Sequence, residues 1–265
     1  MLQLFKVEWL KIRTYKTFWV LFGTFCIMFP LAFYFSAREF MKSGAGFDEK
    51  AIKAFLGSPF IFPKVWQASS WFGGLFFVMM GMLFILLITN EVQYRTHRQN
   101  IIDGWSRMDF LKAKFSLLLF LVLVATVLVF LCGLTVGMIF SKNIDDIFNG
   151  VHYIGYFALM AIVYLMVAFL ISILIKRTGL SIIIYFAFVC IVDNVLWLIL
   201  TLYNNQFGYF LPLESADSLV VNPFKPALLE KRTVPDNALI SAVLFYIILF
   251  GFIIIRYFKR TDLKT

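Results

Sequence analysis

The stretch FSLLLFLVLVATVLVFLCGLTVGMIF, residues 115–140, decides the fold of this chain. It contains no charged residue, and about 20 consecutive apolar residues are enough for a helix to cross the hydrocarbon core of a bilayer. Five further stretches meet the same criterion. The six predicted spans cover residues 18–35, 71–89, 115–140, 153–175, 180–203 and 238–257. We therefore expect a single all-α transmembrane domain, residues 1–265, with six membrane-crossing helices.

The composition of the whole chain agrees with this class. Of the 265 residues, 62% are hydrophobic and only 15% are charged, whereas about a quarter of an ordinary soluble domain is charged. The mean hydropathy is +0.87. The net charge of +9 is explained by the excess of Lys and Arg that membrane proteins carry on their cytoplasmic flanks. Because no basic stripe is separable from those flanks, we expect no nucleic-acid partner.

The distribution of Lys and Arg predicts the orientation. A cytoplasmic N-terminus places the basic residues of segments 6–16, 95–114, 176–177 and 256–264 on the cytoplasmic side. The remaining basic residues are fewer, lie in longer loops and are mixed with acidic residues. This bias predicts that both termini are cytoplasmic.

Three segments outside the spans are not simple connections. Within residues 2–16, apolar residues recur at spacings of three and four, which predicts an amphipathic helix in the headgroup region; an extension of the first span is the alternative. This stripe consists of Leu2, Phe5, Trp9 and Ile12. Residues 37–67 form a long first external segment. Residues 204–237 are unusually apolar, and their four prolines forbid one long helix, so we expect short external helices that dip into the outer leaflet or rest on it.

The segment between the second and third spans, residues 90–114, carries the clearest local signals. Thr96 followed by Gln99 has the form of a capping box, which begins a helix, and Gly104 fits the stop of that helix. A helix of about two turns is marginal in water by itself. It therefore needs a docking partner or tight support from its own protein; a solvated basic hairpin is the alternative interpretation.

A second start signal follows in the same segment. Ser106 with Asp109 again has the form of a capping box. We expect the helix that begins there to continue into the third span.

Residues 91–107, EVQYRTHRQNIIDGWSR, also carry a family resemblance. They are similar to the intracellular loop of type-2 ABC exporter permeases, and most similar to bacterial members with the form E-x-x-x-x-T-x-R-x-x-I-x-x-G-x-S-R, such as lantibiotic-immunity-like permeases. The layout is similar too: an N-terminal interfacial helix, six spans and a large external segment between the fifth and sixth. The long segment 37–67 departs from the compact members of this family.

The resemblance implies roles for matched positions. Thr96 to Asp103 would be a coupling helix that docks into a groove of a separate ABC ATPase subunit, residues 2–16 the connecting elbow helix, and residues 204–237 the re-entrant helices that close the outer gate. The residues implied in ATPase coupling are Glu91, Tyr94, Arg95, Thr96, Arg98, Gln99, Ile101, Ile102, Gly104 and Arg107.

The resemblance also implies what the chain needs from other molecules. The phosphate-loop form G-x-x-x-x-G-K-[ST] is absent, so ATP and Mg²⁺ would bind the partner subunit, and this chain would be a transport subunit without its own ATPase site or cofactor. Two permease chains, as a homodimer or heterodimer, would form the pathway in a bacterial cytoplasmic membrane. The expected cargo is a hydrophobic or amphipathic molecule exported from the cytoplasm or the inner leaflet.

Asp193, next to Asn194 in the fifth span, is the one clear intramembrane acid. A charge at this depth is costly and marks a candidate functional site. Two interpretations remain open. The pair either hydrogen-bonds across an interface between spans or subunits, or it lines the substrate route or takes part in proton movement.

Other classes of protein receive less support. An ion-coupled secondary transporter using Asp193 predicts related halves and more intramembrane polar residues, and neither is seen. A membrane anchor or assembly protein that holds a partner through the hairpin stays open. We find no nucleophile–base set for catalysis, and His97 and His152 are too isolated for a metal site. Each of the three cysteines lies in an apolar run, which favours buried thiols over disulfides: Cys26, Cys132 and Cys190.

Overall fold

The fold is entirely helical where the structure describes it. The computed structural model describes residues 2–42, 58–93, 106–141, 146–203, 206–224 and 234–260. All regular secondary structure in these ranges is helical, and six helices are long and apolar enough to cross a membrane. The predicted fold class, an all-α protein with six membrane-spanning helices, is confirmed.

Most of the membrane-spanning helices extend beyond the apolar runs from which they are predicted. Their bounds are α1 Leu2–Arg13, α2 Lys16–Lys42, α3 Val65–Gln93, α4 Arg107–Phe140, α5 His152–Ile175, α6 Thr178–Ala187, α7 Asp193–Leu202, α8 Glu214–Asp217 and α9 Asp236–Arg260. A 3₁₀ turn, Gln206–Phe210, precedes α8. The extensions arise because helical hydrogen bonding continues into polar flanks until a cap ends it.

The fifth span changes its helical geometry half-way. After α6 the chain passes through a π-helical turn, Phe188–Val192, before α7 begins at Asp193. Such turns are rare and frequently occur at functional sites. The side-chain amide of Asn194, in α7, donates to the carbonyl of Val189 in this turn at 3.1 Å.

Helix α5 forms the centre of the bundle. It packs against α3, α4 and α9, and most of its side chains are buried. By contrast α2, α9 and the fifth span keep most of their side chains on the outer surface, as expected of helices that face lipid or another chain. The contact between α3 and α6 depends on Gly81, because a side chain there would collide with the hydroxyl of Tyr185.

Residues 206–224 are attached to the bundle by hydrogen bonds from side chains of two spans to their backbone carbonyls. The hydroxyl of Tyr246 in α9 donates to the carbonyl of Phe210 at 2.7 Å, and the amide of Gln67 in α3 donates to the carbonyl of Val221 at 3.0 Å. The segment is therefore fixed to two spans that are far apart in sequence.

Candidate functional site

The two flanks of the predicted coupling segment are described, and its centre is not. Tyr94, Arg95, Thr96, Arg98, Gln99, Ile101, Ile102 and Gly104 lie outside the described residues, as does His97. Arg107 is the first residue of α4. The predicted start signal at Ser106 is confirmed: its hydroxyl accepts from the backbone of Asp109 at 3.1 Å, and the carboxylate of Asp109 accepts from the backbone of Ser106 at 3.2 Å.

Glu91, the remaining residue of the predicted coupling set, belongs to a ring of four charges. Lys114 lies 2.5 Å from one carboxylate oxygen of Glu8 and 2.8 Å from one of Glu91. Lys11 lies 3.1 Å from the other oxygen of Glu8 and 3.4 Å from the other oxygen of Glu91. Each lysine thus contacts both glutamates, and positive and negative charges alternate around the ring.

The charge ring is buried at one end of the bundle. Lys114 is 0% exposed and Glu8 1% exposed, whereas Glu91 and Lys11 are 13% and 31% exposed. Burial by itself raises the pKa of Glu8, but the nearby ammonium groups of Lys114 and Lys11 outweigh it and hold that pKa below its ordinary value. A buried ion needs such partners, because removing a charge from water costs several kcal/mol.

The charge ring connects three parts of the chain. Glu8 and Lys11 lie on α1, Glu91 lies in the last turn of α3, and Lys114 lies in the early turns of α4. It therefore ties both flanks of the hairpin, residues 91–114, to the N-terminal helix. We call this end of the bundle, with α1 and the hairpin flanks, the hairpin end.

Aromatic packing and further hydrogen bonds reinforce the hairpin end. The rings of Phe5 and Trp9 pack against Phe120 of α4 at 5.3 and 5.6 Å between centroids. The side-chain amide of Asn90 donates to the hydroxyl of Tyr15 at 2.6 Å. Helix α1 is therefore attached by packing as well as by charge.

Glu8 and Lys11 are site residues that the sequence analysis missed. A signal was present, since Glu8 lies three residues after Phe5 and four before Ile12, next to the predicted apolar stripe. An acid beside such a stripe requires a partner if it is buried. Its fully buried partner, Lys114, lies 106 residues away, so no local pattern identifies that contact.

Asp193 and Asn194 occupy different surroundings. Asp193 is 2% exposed, and its carboxylate accepts hydrogen bonds from the backbone N–H groups of Leu213 and Glu214, at the start of α8. Asn194 is exposed and lines a cavity. Asp193 therefore holds the 206–224 segment against the fifth span, and both interpretations given above stay open.

The cavity beside Asn194 has a volume of about 670 Å³. Its walls come from α3, α5, the fifth span and residues 209–222. Cys190 lies in the wall and is exposed, whereas Cys132 is buried and Cys26 is half-buried. The expectation of three buried thiols is wrong for Cys190, because this residue lies at the cavity in a span that buries few of its side chains.

The comparison with protein families decides the identity of the chain. A family model described as ABC-2 family transporter protein matches residues 4–193. The chain belongs to the ABC-2 transporter family. The match covers more than half of the 265 residues and includes the charge ring and Asp193. The resemblance to type-2 ABC permeases is thus confirmed, and the chain is a multi-pass membrane permease of a kind that works with an ABC ATPase. No curated protein matches the chain.

Proposed function

We propose that this ABC-2 permease is the membrane-spanning subunit of an ATP-driven exporter in a bacterial cytoplasmic membrane. A separate ABC ATPase, which binds ATP and Mg²⁺, docks on the hairpin of residues 91–114. A second permease chain completes the pathway. The cargo is a hydrophobic or amphipathic molecule that leaves the cytoplasm or the inner leaflet.

The observation that carries this proposal is the charge ring. Closure of two ATPase subunits is a rigid-body motion, and a hairpin can pass it on only if its own flanks are held firmly. Lys114 bonds to Glu91 on the opposite flank of the hairpin and to Glu8 on α1. When the hairpin is displaced, α1, α3 and α4 therefore move with it. Helix α1 then acts as the elbow helix of the transporter.

The charges at the hairpin end support the orientation proposed for the permease. Basic residues are concentrated in α1, the hairpin, Lys176, Arg177 and the end of α9. This excess supports a cytoplasmic hairpin end with both termini inside. An ATPase that uses cytoplasmic ATP reaches the hairpin only in this orientation.

Residues 206–224 act as a re-entrant outer gate in this proposal. The carboxylate of Asp217 in α8 accepts from the hydroxyl of Tyr164 at 2.8 Å, and Tyr164 lies twelve residues along α5 from His152. At 1.5 Å per residue this is roughly 18 Å below the outer end of α5. A hydrocarbon core is about 30 Å thick, so this depth supports a segment that re-enters the membrane.

Reconstitution with the partner tests the function. The permease is purified from its host membranes, the co-purifying proteins are identified, and the complex is placed in inside-out vesicles with ATP. We expect an ABC ATPase in the preparation and ATP-dependent uptake of a fluorescent amphiphile into the vesicles. A permease that purifies without any ABC ATPase, or a complex whose ATP hydrolysis moves no cargo, contradicts the proposal.

A further inference from the structure

The cavity beside the π-helical turn has the size of a ligand site. Its volume of about 670 Å³ lies within the range of roughly 300–1,000 Å³ typical of small-molecule pockets. One wall is the fifth span, from Val189 to Thr201, and the opposite side is the segment that contains α8. The cavity is therefore bounded by the element proposed as the outer gate.

The wall contributed by the fifth span is polar at membrane depth. Asn194 is exposed there, whereas the indole N–H of Trp197 and the hydroxyl of Thr201 are buried and have no hydrogen-bond partner within the described ranges. Polar groups at membrane depth are placed where they face protein or a water-filled space rather than lipid. This wall thus suits water or a cargo with polar groups rather than acyl chains.

The ionisable lining of the cavity is acidic where the structure describes it. Among the described residues that line it, Glu214 and Asp217 are acidic and none is basic. Both oxygens of Asp217 accept from the hydroxyl of Tyr164, at 2.9 and 2.8 Å, and Asp217 has no ion pair with any residue the structure describes. Burial without a counter-ion raises the pKa of Asp217, and a cation that enters the cavity would stabilise the ionised form of this carboxyl group.

Aromatic rings line the same space. Trp71, Trp197 and Tyr209 contribute to the wall, and the rings of Trp197 and Tyr209 lie edge to face, 6.3 Å apart. Aromatic faces attract cations, most strongly when the site is shielded from water. Apolar surface for a hydrophobic body and attraction for a positive charge are therefore combined in one cavity.

We propose that this cavity is the binding site for an amphipathic cargo that carries a positively charged group, with Asp217 as the counter-charge and the rings of Trp71, Trp197 and Tyr209 as the apolar walls. The proposal rests on the transport function proposed above and specifies its substrate class. It predicts that cations enter the cavity in preference to anions of the same shape.

Cys190 provides a native reporter of this preference. In a background with Cys26→Ala and Cys132→Ala, the purified permease is treated with a cationic trimethylammonium-ethyl or an anionic sulfonato-ethyl methanethiosulfonate. We expect the cationic reagent to modify Cys190 faster, after normalisation to each reagent's rate with free cysteine, by roughly threefold or more. Asp217→Asn is expected to lower this ratio toward one, whereas Glu39→Gln, an exposed acid of α2 outside the cavity, leaves it unchanged. Equal normalised rates in the wild-type protein overturn the proposal.

A matched pair of hydrophobic ions tests binding directly. Tetraphenylphosphonium and tetraphenylborate have nearly the same shape and opposite charges. In a neutral detergent, tetraphenylphosphonium is expected to slow the reaction of Cys190 with N-ethylmaleimide, and tetraphenylborate is not. Equal protection by both ions, or protection that persists undiminished in Asp217→Asn, contradicts the assigned role. If Asp217→Asn fails to fold, Glu214→Gln replaces it and is expected to reduce the protection by tetraphenylphosphonium. Unchanged protection in Glu214→Gln then contradicts cation binding by the acidic lining of the cavity.

These measurements need no ATPase, so the exporter function and the cation-binding cavity can each be refuted without the other. Selective protection by the cation together with no ATP-driven transport refutes the exporter function and leaves the site in place. ATP-driven transport with no charge preference at Cys190 refutes the site and leaves the exporter function.

Discussion

The ammonium of Lys114 lies 2.5 Å from the carboxylate of Glu8, and both side chains are almost completely buried. Glu8 belongs to the N-terminal helix and Lys114 to the third span, 106 residues further along the chain. Glu91 and Lys11 complete the ring, so neither charge is left without a counter-charge. A charged contact of this kind fixes the position of one helix relative to another more strictly than apolar packing does, since a displaced ion loses its partners while still buried.

Removal of Lys114 is expected to destabilise the permease strongly. Lys114→Met leaves Glu8 buried beside a single lysine, and breaking a buried pair in this way costs roughly 3–5 kcal/mol. Thermal unfolding in detergent measures the effect as a lower Tm. Lys112→Met is the matched control, because Lys112 is half exposed and its contact with Asp109 is 3.7 Å long; a similar loss in both variants argues against a special role of the ring.

Neutralising the ring as a whole is expected to be milder than breaking it. The triple variant Glu8→Gln, Glu91→Gln and Lys114→Met removes both carboxylates and the fully buried ammonium together, and the charge that remains in the ring, on Lys11, is 31% exposed and reaches water. Replacement of buried ion pairs by neutral groups of similar volume is often neutral or stabilising. The Tm of the triple variant should therefore lie well above that of Lys114→Met. If the triple variant has a lower Tm than Lys114→Met, the ring stabilises the fold by more than the mutual neutralisation of its charges.

The pH dependence of the ring follows from Glu8. Its pKa in the folded protein lies below the ordinary value of 4.5, so its contribution to stability is present above that value and is lost as the pH falls through the lower, folded pKa. The difference in Tm between wild type and Glu8→Gln should be constant from pH 6 to pH 8 and shrink only in strongly acid solution. A difference that changes between pH 6 and pH 8 contradicts this assignment.

Gly81 should tolerate no side chain. A methyl group there collides with Tyr185 of α6, and overpacking of this kind costs roughly 1–3 kcal/mol. We expect Gly81→Ala to lower the Tm and Tyr185→Phe, which removes the hydroxyl at the point of collision, to restore part of the loss in the double variant. Gly155→Ala is the control, because no described atom beyond its chain neighbours and the nearby backbone of its own helix lies within 4 Å of the added methyl group.

Asp193→Asn is expected to loosen the 206–224 segment. The amide is uncharged and has one acceptor oxygen instead of two, so its hydrogen bonds from the backbone N–H groups of Leu213 and Glu214 are weaker than those of the carboxylate; the expected local loss is about 1–3 kcal/mol. Hydrogen exchange should become faster at these two amides and stay unchanged in Asn194→Ala. Unchanged exchange in Asp193→Asn together with lost export instead favours a direct role of Asp193 in the substrate route.

The amino-acid sequence by itself determined the six spans, their class and the start of α4. These features depend on local properties: a long apolar run has to be helical in a bilayer because its backbone has no other hydrogen-bond partners, and the capping box of Ser106 and Asp109 closes within one helical turn. The motif of residues 91–107 similarly indicated the family through neighbouring residues, and Asp193 stood out because a charge inside an apolar run is conspicuous.

Only the tertiary structure decided what these residues contact. Glu8 contacts Lys114, Asp193 contacts the backbone at the start of α8, and Asp217 contacts Tyr164 half-way along α5, each across a separation in sequence that no periodicity records. Spans with similar apolar surfaces pack in many arrangements of comparable energy, because lipid is as apolar as the helices themselves. Buried charges and hydrogen bonds select among those arrangements, and their partners become apparent only once the helices lie side by side.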